Sequence, residues 1–241
     1  MRDQKRKKIG IYVAHDDDAI LSIGGKLIQH VQHKDDIYMV VFSDGSFAQK
    51  FNNIRTLNFD KSLSALKPEE KRHEEFFQSL KIIGIPLKRI YSLSLPDGRL
   101  IKHLSKKEIQ EKVIEVTNKE KPDIIYFNFS EPGALLDHWA VSRLMKKIVA
   151  KLPWKLKAYQ FFVWMRPWQK KAFGFSGKIA ETDIKKYLDQ KREAIFKMQS
   201  QINVWPYADW PVQKQAVLPK KVLKFFLSGR EFLIEYLKDK A

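Results

Sequence analysis

The sequence predicts an α/β fold: a mostly parallel sheet with helices on both faces, continued by a C-terminal helical extension. Three observations predict it. Short apolar runs alternate with segments of helical period through the first two-thirds of the 241 residues, the pattern of repeated strand–helix units. The runs "DIYMVVFS" and "PDIIYFNF" are apolar without alternation, as expected of strands covered on both faces. From about Arg166 the alternation stops, and a Trp- and Pro-rich connector leads into longer helical stretches.

Each element has its own signal. Ile9–Ala14 reads as the first strand. In Ala19–His33, Ile20, Ile23, Leu27, Ile28 and Val31 recur at helical spacing. Asp36–Ser43 is the second strand, broken by "SDGS", and Phe47–Lys67 is aperiodic and reads as a long loop. Pro68–Gly84 is helical, with Pro68 at its start, Glu69 and Glu70 in the first turn and Gly84 as its stop. Arg89–Leu95 is a third strand, ended by "PDG". Ser105 and Glu108 have the spacing of a capping box ahead of Ile109, Val113 and Val116. Pro122–Phe129 is a fourth strand, and His138–Leu152 a helix with Val141, Leu144, Met145 and Ile148 inward. Lys157–Met165 is a fifth strand. Beyond it, helices are expected near Thr182–Gln201 and Pro219–Leu237, on either side of the turn "VWPYADWP".

Composition bounds the rest. A chain that is 44% hydrophobic at this length supports a core over residues 1–165 and a helical, aromatic-rich extension over 166–241 packed on it. There is no cysteine, which excludes disulfides and thiolate metal sites. The basic start "MRDQKRKK" is followed by no signal-peptide apolar region, and nowhere do about 18 apolar residues run together. The expected location is therefore cytoplasmic, without a transmembrane segment. Lys and Arg number 45 against 28 Asp and Glu, a net charge of +17, which favours anionic partners. The lysines are spread along the chain. They read as a solvated surface rather than a nucleic-acid patch, although peripheral contact with an acidic membrane fits the charge. The stretch "FFVWMRPWQKKAFGF" interleaves aromatic and basic residues. It resembles a base-stacking platform and equally a core strand running into an amphipathic lid.

In open α/β sheets ligands bind at the carboxyl ends of the strands. There the sequence places His15, Asp16, Asp17 and Asp18, then Ser43 and Asp44, then Asp97, then Asp137 and His138. His15, Asp18 and His138 make a two-histidine, one-carboxylate set, which suits a catalytic zinc that keeps a fourth position for water and also suits iron. Bound metal lowers the pKa of that water to about 7. Asp17, between two ligands, is then placed as general base. By spacing alone the "DDD" run reads equally well as a solvated turn or a helix N-cap in a favourable dipole.

The ordered motifs resemble the zinc-dependent LmbE-like/PIG-L family of N-acetylglucosaminyl deacetylases. "AHDDDA" (Ala14–Ala19) stands where that family has A-H-P-D-D-E, and "IGG" (Ile23–Gly25) resembles its G-G. "FSDG", Arg72 and Glu75 with "IIGI", "LSLPDG", "KPDIIYFNF", "LLDH" and "KREAIFKMQSQ" follow in the family's order, from about Lys8 to Gln201. The resemblance implies a Rossmann-like fold, zinc on His15, Asp18 and His138, and Asp17 as the base in amide hydrolysis. It also implies that Arg72 and Asp97 line the pocket and hold the sugar. The implied substrate is an N-acylated amino-sugar conjugate, and the basic charge suggests a phosphate on it or a lipid or nucleotide carrier. Four positions depart from the pattern: Asp16 replaces Pro, Ala19 replaces Glu, Leu135 replaces the first His of H-P-D-H, and Met198 stands where many members carry His. Losing an oxyanion donor such as that His typically costs about 10²–10³ in rate.

Overall fold

The computed structural model describes residues 5–45, 68–130, 136–163, 179–198 and 220–236. Their elements are β1 (Lys8–Val13), α1 (Asp18–Gln32), β2 (Asp36–Ser43), α2 (Pro68–Ile83), β3 (Ile90–Leu95), α3 (Leu100–His103), α4 (Lys107–Glu120), β4 (Ile124–Asn128), α5 (Leu136–Lys151), β5 (Lys157–Phe161), β6 (Ile179–Asp183), α6 (Leu188–Lys197), α7 (Lys220–Phe226) and β7 (Arg230–Tyr236). The strands form one sheet in the order β3-β2-β1-β4-β5-β7-β6. β1 to β5 are parallel, whereas β7 runs antiparallel to both β5 and β6. The chain reverses its winding between β1 and β4, which makes their carboxyl ends the switch point of the sheet.

Both faces of the sheet are covered, so the continuous apolar runs have a physical cause. On one face Ile9, Ile11, Val13, Met39 and Tyr126 pack under α1, α2, α6 and α7. On the other, Tyr12, Val40, Ile125 and Phe127 pack under α3, α4 and α5. Period-two alternation survives only as a choice between two cores.

α1 is kinked at Ile23, whose φ and ψ are −130° and 20°. The backbone N–H groups that the kink frees are taken up from the far end of the chain. Glu231 on β7 accepts Gly25 N–H at 2.7 Å and Lys26 N–H at 2.8 Å, and the Lys191 ammonium donates to it at 2.8 Å. Both side chains are fully buried, so each charge needs the other. The glycines permit the approach: a Cβ on Gly25 would lie 2.7 Å from Ile184 Cβ.

Three local expectations change. The capping box does not form: α4 starts at Lys107 without a side-chain cap, and the Ser105 hydroxyl instead donates to the Lys102 carbonyl at 2.7 Å. Thr182–Gln201 opens with the end of β6 and a short 3₁₀ turn before α6. Pro219–Leu237 is helical only through Phe226, then forms β7. Leu233 and Ile234 are buried and Glu231 is satisfied inside, so a charged segment that reads as an amphipathic helix is an inner strand. The loop Phe47–Lys67, most of "FFVWMRPWQKKAFGF", the "VWPYADWP" turn and Leu135 lie outside the described residues.

Candidate active site

The site is built where β1 hands over to α1. Ala14 N–H donates to the Asn128 side-chain oxygen at 2.8 Å, tying the end of β1 to the end of β4. The chain then turns, and His15 N–H donates to Asp18 Oδ2 at 2.9 Å. Asp17 is the N-cap residue of α1, yet its side chain makes no capping bond. Asp16, Asp17 and Asp18 are all buried, so the solvated-turn reading of "DDD" is excluded.

His15, Asp18 and His138 converge. His15 Nδ1 is 3.2 Å from His138 Nε2, and His138 Nε2 is 3.0 Å from Asp18 Oδ1. His15 Nδ1 is 3.7 Å from Asp18 Oδ2. In a tetrahedral site with ligand–metal distances of 2.0–2.1 Å, ligand atoms stand about 3.3 Å apart. The three groups therefore fit one metal ion. The carboxylate is oriented from behind, since Asn128 Nδ2 donates to Asp18 Oδ2 at 3.1 Å. The other side of the His15 ring, Nε2, is 3.0 Å from Asp97 Oδ1 and 3.7 Å from Asp137 Oδ2. A hydrogen bond from Nε2 to a carboxylate fixes the tautomer that leaves Nδ1 for an ion. Asp137 is held in turn by Gly98 N–H at 2.6 Å and Leu100 N–H at 3.0 Å.

Arg72, on α2, reaches the opposite side of the aspartate run. Its Nε donates to Asp16 Oδ1 at 2.8 Å, and its NH2 group lies 3.4 Å from Asp17 Oδ1. Its NH1 group donates to the Gly45 carbonyl at 3.3 Å. Gly45 has φ +68°, and a Cβ there would lie 3.0 Å from Arg72 Nε. Arg72 and Asp97 were expected to hold the sugar. Arg72 bonds Asp16, Asp17 and the Gly45 carbonyl, and Asp97 Oδ1 lies 3.0 Å from His15 Nε2.

The electrostatics follow from burial and these partners. Burial pushes the Asp17 carboxyl up to about 6, with Asp18 and Asp16 adding to it and Arg72 opposing. Burial also acts to raise Asp18, but the charges and hydrogen bonds of His138 and His15 hold it well below the usual carboxylate range. Burial would lower His15, yet hydrogen bonds to Asp137, Asp18 and Asp97 hold its imidazolium well above the usual value. So many buried carboxylates demand positive charge among them, and a divalent ion on His15, Asp18 and His138 would add to that of Arg72.

Sequence reasoning names the three converging groups and Asp17 but misses Asn128, gives Asp137 no task, and finds no role for Asp16. Each acts across more than 35 residues, and only the fold shows the pairing. Of the departing positions, Ala19 and Met198 are buried in the apolar core beneath α1 and α6.

A family model described as "PIG-L: GlcNAc-PI de-N-acetylase" matches residues 11–149, a span that includes every one of these site residues. The chain belongs to the PIG-L family. No curated protein matches it significantly in sequence. Solved structures share the fold across nearly the whole chain. The N,N'-diacetylchitobiose deacetylase from Pyrococcus horikoshii, in complex with an inhibitor, superposes with a TM-score of 0.68 at 17% identity, covering 97% of this chain and 85% of that one. GalB from Pseudomonas putida, a 4-carboxy-2-hydroxymuconate hydratase, gives 0.67 at 17% identity, with 96% of each chain covered. The zinc-inhibited form of the teicoplanin deacetylase Orf2 gives 0.65 at 14%, covering 95% and 98%. At these identities the likeness establishes the shared fold. Since a hydratase shares it with deacetylases, the chemistry has to be argued from the PIG-L site itself.

Proposed function

We propose that this PIG-L protein is a metal-dependent deacetylase that hydrolyses the amide of an N-acylated amino-sugar conjugate. The observation that carries the reading is the set His15 Nδ1, His138 Nε2 and Asp18 within 3.0–3.7 Å of one another, with the uncapped Asp17 beside it. A divalent ion on these three groups would lower the pKa of a water and polarise the acyl carbonyl oxygen. Zinc suits the donor set, and iron is the alternative.

The protein's own groups do the proton work. Asp17 takes a proton from the attacking water as oxygen bonds to the amide carbon. It returns that proton to the sugar nitrogen as the C–N bond breaks, and the carboxylic acid so released passes its own proton to the amine, leaving an ammonium and a carboxylate. A base poised near neutral pH is best matched to this double task. Asp97 and Asp137 orient His15, Asn128 orients Asp18, and Arg72 answers the charge of Asp16. Metal analysis of the purified protein, joined to a panel of N-acetylglucosamine conjugates, tests the reading. The expected result is one divalent ion per chain and deacetylation that falls about 10²–10⁴-fold in Asp17→Asn while metal content stays. Activity and metal content that both survive Asp18→Ala would sink it.

A second reading, that the site binds metal and glycan but performs altered or no hydrolysis, is favoured by Leu135, which stands where the family has a histidine. Leu135→His separates the two. A gain of about 10²-fold or more would favour the second reading, and little change the first.

A further inference from the structure

The site above uses the carboxyl ends of the strands; their amino ends carry a second concavity. A cleft of about 350 Å³ opens between the second half of α1, the segment entering β1 and the starts of β4 and β5. Lys5, Lys7, Lys26 and Lys157 line it, together with the rings of Tyr126 and Tyr159. Those rings stack with centroids 5.6 Å apart and 23° between their planes. The one carboxylate in the lining is Asp35, and both its oxygens are engaged. Oδ2 is 2.7 Å from His30 Nδ1, and Oδ1 accepts Lys7 N–H at 2.9 Å. Among the described residues, none of the four ammonium groups has a carboxylate within ion-pair distance. Lys26 donates to Gln29 Oε1 at 2.8 Å. Burial lowers the Lys26 pKa, and the charge of Lys7 lowers it further against the pull of Glu231 and Asp35.

Four lysines lining one concave wall, with a single engaged carboxylate, focus a field that an anion would relieve. The volume is at the small end of the range for small-molecule sites, too small for a polymer to fill. Lysine recognises phosphate as a point charge, and Tyr159 offers a ring face for the uncharged part of a ligand. We propose that this cleft binds a small molecule carrying two or more phosphate charges. β1, six residues long, separates it from His15 by about 20 Å. Its occupant is therefore distinct from the molecule that reaches the carboxylate cluster. Part of the basic charge that suggests a phosphorylated substrate thus serves a second ligand.

Titration calorimetry with inorganic pyrophosphate, in salt of about 0.15 M, tests this on the 241-residue chain. The expected result is one saturable site per chain with a Kd below about 1 mM. Lys26→Gln/Lys157→Gln is expected to weaken it at least about tenfold. The control Lys112→Gln/Lys197→Gln, on exposed lysines of α4 and α6, should leave it unchanged, and so should Asp18→Ala. Thermal melts establish that each variant is folded. If the double variant is not, the exposed single change Lys157→Gln decides, with a several-fold loss expected. The proposal is overturned by absence of saturation, by equal weakening in the control, or by loss of binding in Asp18→Ala, which would place the anion in the other site. Binding to RNA or acidic vesicles without binding to pyrophosphate would overturn it as well.

Discussion

At one end of the sheet five carboxylates, Asp16, Asp17, Asp18, Asp97 and Asp137, are buried around His15 and His138. At the other end, Lys5, Lys7 and Lys157 stand exposed around an open cleft. The difference lies in what like charges cost in the two places. Water screens exposed ammonium groups, so their clustering is cheap. A buried carboxylate must be answered one by one. Asp16 has Arg72, Asp18 has His138, Asn128 and the His15 N–H, and Asp137 has two backbone N–H groups. Among the described residues, Asp17 has only the 3.4 Å approach of Arg72. The acidic end is therefore complete except around Asp17 and the converging imidazole nitrogens, where the proposed reaction places water and ion.

The largest effect should come from removing the cation that answers this end. Arg72→Met leaves Asp16 and Asp17 buried without it, and is expected to cost about 3–5 kcal/mol in urea unfolding. Adding Asp16→Asn should restore a good part. A loss under about 1 kcal/mol would mean that this end is screened like the other, and the contrast would fail. Next comes Asn128→Ala, which frees Asp18 from behind. Chelator competition should show metal affinity reduced about 10–100-fold. Gln29→Ala, which removes the Lys26 partner at the basic end, should leave metal affinity unchanged.

How far all this was legible in sequence follows the same division between local and distant. β1, β2 and β4 were legible because burial on both faces writes them as unbroken apolar runs. His15, Asp17, Asp18 and His138 were legible because strand ends in a parallel sheet share one edge, so residues 123 apart in sequence can be placed together without coordinates. β7 was not, because Glu231 looks like a surface residue until Lys191 and the α1 backbone are brought to it. β6 was not, because an edge strand reading "IAETD" carries little apolar signal. Asp16 was opaque for a related reason. Its partner Arg72 lies 56 residues away, on a helix whose approach no local pattern encodes.

Glu120 is a buried carboxylate at the basic end, and it sharpens the rule. Glu120 closes α4 with two Arg89 bonds at 2.9 and 3.0 Å, the Tyr91 hydroxyl at 2.6 Å and the Lys8 ammonium at 3.1 Å. Burial acts to raise its pKa, but Arg89, Tyr91 and Lys8 outweigh it and pull the group from 4.5 down to about 2. A folded-state value below the unfolded one means that the ionised form stabilises the fold. That contribution is complete above pH 4.5 and is lost as pH falls toward about 2. Discounted for solvent screening it amounts to about 1 kcal/mol. Wild type and Glu120→Gln should therefore differ in urea midpoint at neutral pH and converge as pH approaches about 2. A difference that grows in acid would reverse the sign and refute the assignment.

The smallest effect is expected where the contrast says charge is cheap. Lys26→Gln/Lys157→Gln removes two ammonium groups that have no carboxylate partner among the described residues. Stability should stay within about 0.5 kcal/mol of wild type, and the sign should favour the variant, because mutual repulsion with Lys7 is relieved. Salt supplies the check. Raising ionic strength from about 0.1 to 1 M shortens the screening length from about 10 to 3 Å, so wild type should gain on the variant until the two melt together. Were the variant less stable at every salt concentration, the lysine stems would be holding the cleft by packing. The two ends of the sheet would then differ in sign of charge but not in how that charge is supported.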